Sequence, residues 1–472
     1  MRLSTIIIIA LSFLFVLPSC RKEKLLTSGG ELRFSVDTLS FDTVFTSLGS
    51  FTIGVKIFNP QNQKVTIGSV RLASGDASFF RINVNGQPGN AVSNIEVAAK
   101  DSIHVFATVK IDPRNQNNPF VIVDKLIATL NGKDFSIPVI AYGQDANYIV
   151  DSVISQSQTW SDKKPYVIIH NALVDSNVTL TIPAGCKVYV HADSRLYVKG
   201  TLKVKGTKQD SVVFQGDRLD RDYFGYEGYP AEWGGIYFFR YSYDNEIEYA
   251  ILRNCGNSTG AGLPSAIQLE PDLLIDPDTF QLRMSNTIIE NSIGYGILSF
   301  QGSLKAENCL VTACGAQALA IIQGGVYDIT NCDFVIYSTD KVSHLKEPSV
   351  AVLNYFDVGN GQYIASDLQA TLRNCVIYGS LEDEAYFDRV EQYKYNVKLI
   401  NCLLRKKDAI PDFVTQTNCI INQDPQFLDA TKWDFHFKES SPLKDAGIPA
   451  VSIDLDGKQR TDTRPDIGCY EY

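Results

Sequence analysis

The feature that most constrains this chain is a recurring pair, asparagine followed by cysteine. It occurs at Asn254-Cys255, Asn308-Cys309, Asn331-Cys332, Asn374-Cys375, Asn401-Cys402 and Asn418-Cys419, and Asn286-Thr287 stands in the same context. Apolar residues follow each pair within a short distance. Asn308 lies 22 residues after Asn286, and Asn331 lies 23 after Asn308. A period in the low twenties with short β-runs predicts a parallel β-helix, in which each coil adds one rung to every sheet. Asparagine suits a sharp corner because it tolerates left-handed backbone, and its amide can bond the asparagine of the next coil. The residue after it turns inward, where a small apolar cysteine fits a stacked core position.

A second stripe agrees with the first. Gly235-Ile236-Tyr237, Ala266-Ile267-Gln268, Gly296-Ile297-Leu298 and Ala320-Ile321-Ile322 follow at intervals of 31, 30 and 24. The longer intervals leave room for insertions such as Glu270 to Phe280. Leu180-Thr181-Ile182-Pro183-Ala184-Gly185 and Leu196-Tyr197-Val198-Lys199-Gly200-Thr201-Leu202 read as two early coils, so coiling is expected to begin near Val178. The phrases Gly200-Thr201-Leu202 and Trp233-Gly234-Gly235-Ile236, with an ending of Ser441-Pro442-Leu443-Lys444-Asp445-Ala446-Gly447, Asp454 to Arg460 and Asp466-Ile467-Gly468-Cys469-Tyr470-Glu471, are similar to bacterial lipoproteins with a right-handed parallel β-helix, of the pectate-lyase-like superfamily. The resemblance spans roughly two-thirds of the chain. It implies the fold and not an activity, because the superfamily hosts lyases, hydrolases, adhesins and unclassified proteins alike.

Ahead of the repeats, Glu31 to about Tyr142 reads as all-β. Phe51, Ile53, Val55 and Ile57 alternate with period two, and Asn59-Pro60, Asn85-Gly86, Pro88-Gly89 and Asn131-Gly132 supply turns. Some seven short strands without a cysteine predict an immunoglobulin-like sandwich lacking an intersheet disulfide. Leu39 to Val44 followed by Val55 to Pro60 resembles the small sandwich modules related to major sperm protein and Hydin-type domains.

The N-terminus has the character of an export signal. Arg2 precedes an apolar run from Ile6 to Leu17, too short for an ordinary membrane span. Leu17-Pro18-Ser19-Cys20 resembles the bacterial lipobox, which implies lipidation of Cys20 and a protein held at the outer membrane, facing either the periplasm or the outside. The organisation is therefore residues 1–20 signal peptide ending at lipidated Cys20, 21–30 tether, 31–145 sandwich, and 146–472 right-handed parallel β-helix with a C-terminal capping segment.

A formal charge of −10 argues against a nucleic-acid partner. Six of the nine cysteines beyond Cys20 follow an asparagine at coil spacing. Side chains in register on a parallel sheet point the same way, so buried free thiols are expected rather than disulfides. There is no CxxC, and no cofactor or metal site is expected. His170 and His191, 21 residues apart, are placed to meet on adjacent coils as a stacked pair. Asp272, Asp276 and Asp278 read as a solvated acidic turn, and Asp454-Leu455-Asp456-Gly457 as a capping turn.

The segment richest in chemistry runs from Asp217 to Trp233. Asp217, Arg218, Arg221 and Asp222 supply hydrogen-bonding charge, and Tyr226 and Trp233 supply rings. Such mixtures recognise sugars, with rings against apolar sugar faces and charged groups on hydroxyls. An Arg–Asp network folding the loop over the coils uses the same residues. Three functions compete. One is a purely structural accessory to an outer-membrane complex, and another is a non-catalytic envelope protein that binds glycan or an outer-membrane partner. The third is a polysaccharide lyase or glycoside hydrolase, which needs paired acids at a defined separation.

Overall fold

The computed structural model describes residues 24–114, 120–161, 163–192, 194–219, 228–257, 262–272, 279–461 and 463–472. It divides into two compact units, Met1–Asp145 and Ala146–Tyr472. Cys20 lies outside the described residues.

The first unit is a pair of five-stranded sheets. One has the spatial order Arg33–Phe34, Ile53–Phe58, Ser102–Val109, Phe80–Val84, Gln87–Gly89. The other runs Leu39–Phe45, Lys133–Gln144, Phe120–Leu130, Val65–Leu72, Ala91–Val97. Strands thus outnumber the seven expected, because pairings as short as Arg33–Phe34 have no alternation to read. Where alternation is long it is obeyed: Ile53, Val55 and Ile57 are buried while Gly54, Lys56 and Phe58 face out. Phe41, Ile57, Ile67 and Phe80 are among its fully buried side chains.

The second unit is a parallel β-helix. Its strands form an 18-stranded and a 10-stranded parallel sheet. Stacking begins earlier than Val178, since Asn147–Ile154 already pairs in parallel with Tyr166–Val174. Inward columns run through successive coils. Val204, Ile247, Met284, Ala306, Ile329, Leu372 and Leu399 are in register and buried. The second stripe holds for three coils and then slips. Ile236, Ile267 and Ile297 stack on Leu319, so Ala318-Leu319-Ala320 is the fourth rung and Ala320-Ile321-Ile322 is not. A slip of two leaves every residue on its own face, so alternation alone cannot detect it.

The corner asparagines are left-handed, φ being 49° at Asn286, 50° at Asn308, 52° at Asn331, 49° at Asn374, 49° at Asn401 and 51° at Asn418. Asn254, with φ of 61°, stands instead at another corner, where Asn291 Nδ2 donates to it at 2.7 Å. The nine described cysteines are free, and all but Cys419 are buried. The Sγ of Cys309, Cys332, Cys375, Cys402 and Cys419 donates to the carbonyl two residues back, across the turn. Thr287 Oγ1 does the same to Ser285 at 2.8 Å. This accounts for cysteine or threonine at one position: each is small and carries a donor. Burial pushes the Cys186 and Cys314 thiols up to about 12, so they are protonated at neutral pH.

The asparagine ladder is only partly made of asparagine–asparagine bonds. Asn308 Nδ2 donates to Asn286 at 3.3 Å, and Asn374 Nδ2 to Asn331 at 3.2 Å. These two amides, with those of Asn331 and Asn401, also turn to the C-terminal segment, which lies along the corner as a strap. Asn401 donates to Ala446 O (2.8 Å), Asn374 to Ile448 O (2.7 Å), Asn331 to Gly468 O (3.0 Å) and Asn308 to Ile453 O (2.5 Å). Beneath the strap, Leu310, Val335, Val376 and Leu403 pack against Phe435, Leu443, Leu455 and Ile467. The terminal motif closes on itself. The Asp454 carboxylate accepts from the Lys458 and Glu471 amides, and Asp466 from those of Asp445 and Tyr472. Gly468 is required where it stands: φ is +101°, and a Cβ would lie 2.6 Å from Asp333 Oδ1.

Candidate functional site

The loop from Asp217 to Trp233 is described only at its two ends. Arg221, Asp222 and Tyr226 lie outside the described residues. Asp217 is nearly buried, and its Oδ2 meets His191 Nδ1 at 2.6 Å. This pairing stands in place of the His170–His191 contact expected from spacing. Arg218 is exposed. Trp233 corrects the reading of the sequence: it is wholly buried and stacks on Phe214 with ring centroids 6.3 Å apart. Its Nε1 donates to Arg253 O at 2.8 Å, the carbonyl two residues before Cys255. No sugar can reach it, and it plugs the core where the coil resumes. In the acidic segment, Asp272 is buried rather than solvated and accepts from Ser303 Oγ at 2.5 Å. Asp276 and Asp278 lie outside the described residues.

Two buried charges occupy one corner column. The residues preceding the inward column of Leu196, Ile236, Ile267, Ile297, Leu319, Val350 and Ala385 are Arg195, Gly235, Ala266, Gly296, Ala318, Ser349 and Glu384. Small residues thus fill the middle and a charge stands at each end. Arg195 Nη2 donates to the carbonyls of Asn257 and Leu263 at 3.2 and 3.1 Å, closing one inserted loop. The Glu384 carboxylate accepts from Ser349 Oγ (2.7 Å), Leu381 N (2.7 Å) and His344 Nε2 (2.9 Å), closing another. Serine, histidine and glutamate together have the makings of an acyl-transfer site. Here, however, the hydroxyl donates to the carboxylate instead of the imidazole, and all three side chains are buried. The cluster holds a loop and is no nucleophile.

The accessible chemistry lies on the outward face of the sheet just beyond that column. Leu298, Ala320, Ala351 and Tyr386 stand in register on successive coils, about 4.8 Å apart, with Ile322 and Leu353 in the neighbouring outward column. The two alanines leave a trough between larger neighbours. It has a volume of about 280 Å³, with Tyr295, Gln317, Glu347 and Tyr386 around the alanine floor. Gln317 Nε2 donates to Glu347 Oε2 at 3.0 Å.

Beside the trough an antiparallel hairpin, Tyr355–Gly359 with Gln362–Ala365, springs from the coil. The buried Asn354 anchors its base, accepting from Val390 N at 2.8 Å and donating to Val390 O at 3.0 Å. Tyr355 and Tyr386 both donate to Asp388 Oδ2, at 2.7 and 3.3 Å. Phe356 meets Phe300 edge-on at 5.5 Å, and Tyr363 meets Tyr355 at 5.1 Å. Phe356, Val358, Tyr363, Ile364 and Tyr386 are exposed. Desolvation, followed by the Asp388 carboxylate, holds the Tyr355 and Tyr386 phenols above their usual range; desolvation and Glu347 do the same at Tyr295. All three stay neutral near pH 7 and act as donors and ring surfaces, not as bases. The sequence carried a signal here that the repeat reading passed over. Asn360-Gly361 lies between Tyr355-Phe356 and Tyr363-Ile364, the pattern of a tight hairpin.

Among the described residues, no group of three or more His, Cys, Asp or Glu is gathered closely enough to hold a metal ion. No protein-family model matches the chain. No curated protein matches it either. Among solved structures, the catalytic domain of a GH87 alpha-1,3-glucanase in complex with nigerose is 10% identical, with a TM-score of 0.22, covering 82% of this chain and 90% of that one. A family 123 glycoside hydrolase from Clostridium perfringens is 9% identical, with a TM-score of 0.17, over 24% of this chain and 26% of that one. Superposition at that level gives this chain neither a fold nor an activity.

Proposed function

We propose that this chain is a lipid-anchored protein of the bacterial outer membrane whose β-helix displays a non-catalytic glycan-binding face. The observation that carries the reading is the trough at Ala320 and Ala351. Its small apolar floor is bordered by the neutral phenols of Tyr295 and Tyr386, with the Gln317–Glu347 pair at its side. Rings set on strands, with an amide–carboxylate pair in the adjoining loops, are groups that read sugar faces and hydroxyls. The Asp388 carboxylate already accepts from two phenols, which favours binding over acid–base hydrolysis. The anchor rests on Cys20 and the sandwich on its place between anchor and coils.

Three experiments test the reading. Tyr386→Ala is expected to abolish retention on immobilised envelope polysaccharides while the melting temperature stays within a degree or two. Retention unchanged in that variant overturns the site. Product assays across neutral and uronate polymers are expected to stay silent, and reducing-end or unsaturated products would restore the lyase or hydrolase reading. Cys20→Ser is expected to move the protein from the membrane pellet to the soluble fraction. A variant that still pellets after a high-salt wash has another anchor.

A further inference from the structure

The trough also carries information about which glycan it takes. Its floor and walls are apolar or neutral, and Glu347 is the one charged group among the residues that line it. The second carboxylate close by is Asp388, which accepts from Tyr386 at the trough's end. The nearest cations by sequence are disposed elsewhere. Arg389 lies over the Phe413 ring at 4.6 Å and reaches Glu391, and Lys394 pairs with Asp367. Lys346 is exposed beside Glu347 and is absent from the lining.

A polyuronate or sulfated chain brings a negative charge on every ring or every second ring. Binding one demands guanidinium, ammonium or bound cations placed to match. Here the ligand would meet a carboxylate in the trough and a second one beside it, on a chain of net charge −10. An uncharged sugar ring meets no such opposition. Its apolar face can lie against the exposed ring of Tyr386. Its hydroxyls can then donate to Glu347 and accept from Gln317 or a phenol.

We infer that the face formed by Ala320, Ala351, Tyr295, Gln317, Glu347 and Tyr386 selects uncharged polysaccharide and excludes polyuronates and sulfated glycans. The exposed rings of the adjacent hairpin, Phe356 and Tyr363, extend the platform beyond a volume of about 280 Å³. That volume sits at the lower end of ligand sites, room for a ring or two, so the hairpin supplies the contacts for a longer chain. The inference rests on the glycan-binding reading given above.

The test is affinity electrophoresis of the full-length protein through gels containing a neutral β-glucan, a neutral mannan, polygalacturonate or dextran sulfate. Retardation by at least one neutral polymer is expected, and none by the two anionic ones. Tyr386→Ala should remove the retardation, and Tyr363→Ala should weaken it for long chains more than for trisaccharides. Glu347→Lys reverses the charge of the lining, and is expected to strengthen any polygalacturonate binding by about tenfold. Anionic polymers that bind wild type in a Tyr386-dependent way overturn the selectivity and leave the glycan-binding reading standing. If none of the four polymers retards the folded protein, both fall together.

Discussion

The sandwich and the β-helix bury apolar side chains by the same period-two alternation, yet they use left-handed asparagine for opposite purposes. In the sandwich, Asn85 and Asn131 have φ of 49° and 48° at hairpin turns and are exposed. They turn the chain, and any residue tolerant of that backbone could replace them. In the β-helix, Asn254, Asn308, Asn331, Asn374 and Asn401 adopt the same backbone conformation while buried. At Asn308, Asn331, Asn374 and Asn401 the amide nitrogen donates to a carbonyl of the strap, so these positions demand asparagine's side chain as well as its backbone. The contrast extends to topology. Sandwich strands pair across long sequence separations, such as Val139 with Leu39. Coil strands pair with those of neighbouring coils, and the strap touches corners from Asn308 to Asn401 and reaches back to Lys208.

The largest effect should therefore come from removing the strap. Deleting residues 441–472 strips Leu443, Leu455, Ile467 and Cys469 from the cluster over Leu310, Val335, Val376 and Leu403 and leaves four corner amides without their carbonyl partners. A loss of at least about 5 kcal/mol from the β-helix is expected, from burial of several large side chains alone. Hydrogen exchange should show lost protection in coils from Asn308 onward and unchanged protection in Ile53–Phe58 and Phe120–Leu130. Equal loss in both units would dissolve the comparison.

A matched pair of substitutions sharpens it. Glycine accepts left-handed backbone, so asparagine-to-glycine isolates the side chain's bonds from the backbone strain. Asn331→Gly loses bonds to Gly468 and Asp466 and the acceptor for Asn374, all buried. About 2 kcal/mol of destabilisation is expected. Asn131→Gly loses exposed contacts to Gly29 and Leu26, and a change under about 0.5 kcal/mol is expected. Denaturant midpoints of the two variants measured side by side decide the matter.

The asparagine corners were legible in the sequence because left-handed backbone and a buried small donor leave a compositional trace at fixed spacing. The strap's role was not. Its residues Ser441, Asp445, Asp454, Arg460 and Asp466 were recognisable as a terminal motif, but which carbonyls meet which asparagines depends on a chain reversal that no local pattern encodes. The proposed binding face was hidden for a different reason. Ala320 and Ala351 are unremarkable in sequence, and only the register of consecutive coils turns two small residues into a trough. Trp233 misled because an aromatic in a charged loop reads as a platform, whereas its neighbours Gly234 and Gly235 belong to the resuming coil. Gly235 has φ of +88° and no room for a Cβ beside Ser265 O.

A smaller effect tests the strap through pH. Asp333 stands in register between Leu310 and Val376, on a stripe otherwise apolar, and faces Cys469 N and Sγ at 3.1 and 3.3 Å. Desolvation raises its carboxyl to about 7, against the bonds from Cys469 and the charges of Arg460 and His436. A carboxyl whose pKa is raised on folding favours the folded state when protonated. Its contribution is complete below about pH 4, where the unfolded group also protonates, and is lost as pH rises through about 7. His436 acts in the same sense. Burial opposes its charge, but the bonds to Asp456 and Asp434 outweigh that and raise its pKa. The β-helix should lose about 1–3 kcal/mol between pH 5 and pH 8, and Asp333→Asn should remove most of that slope. The sandwich, without a comparable buried carboxyl pair with a thiol, supplies the internal reference. A slope unchanged in Asp333→Asn would place the dependence elsewhere.

The smallest expected effect concerns the asparagine corner that carries threonine where the others carry cysteine. If the residue after each asparagine is chosen for size and a single donor, Thr287 and the cysteines are interchangeable in kind. Thr287 Oγ1 reaches Ser285 O as Cys309 Sγ reaches Glu307 O. Thr287→Cys is then expected to change stability by less than about 0.5 kcal/mol, since volume and donor are both kept. Thr287→Val keeps the shape and deletes the donor. It should cost about 1 kcal/mol, moderated because Ser285 O still accepts from Tyr249 N. The order of the two variants matters more than either value. If valine proves as stable as cysteine, the thiols are there for packing alone. If cysteine proves markedly worse than threonine, the corner at Asn286 differs from its neighbours, and the repeat is less uniform than its backbone angles imply.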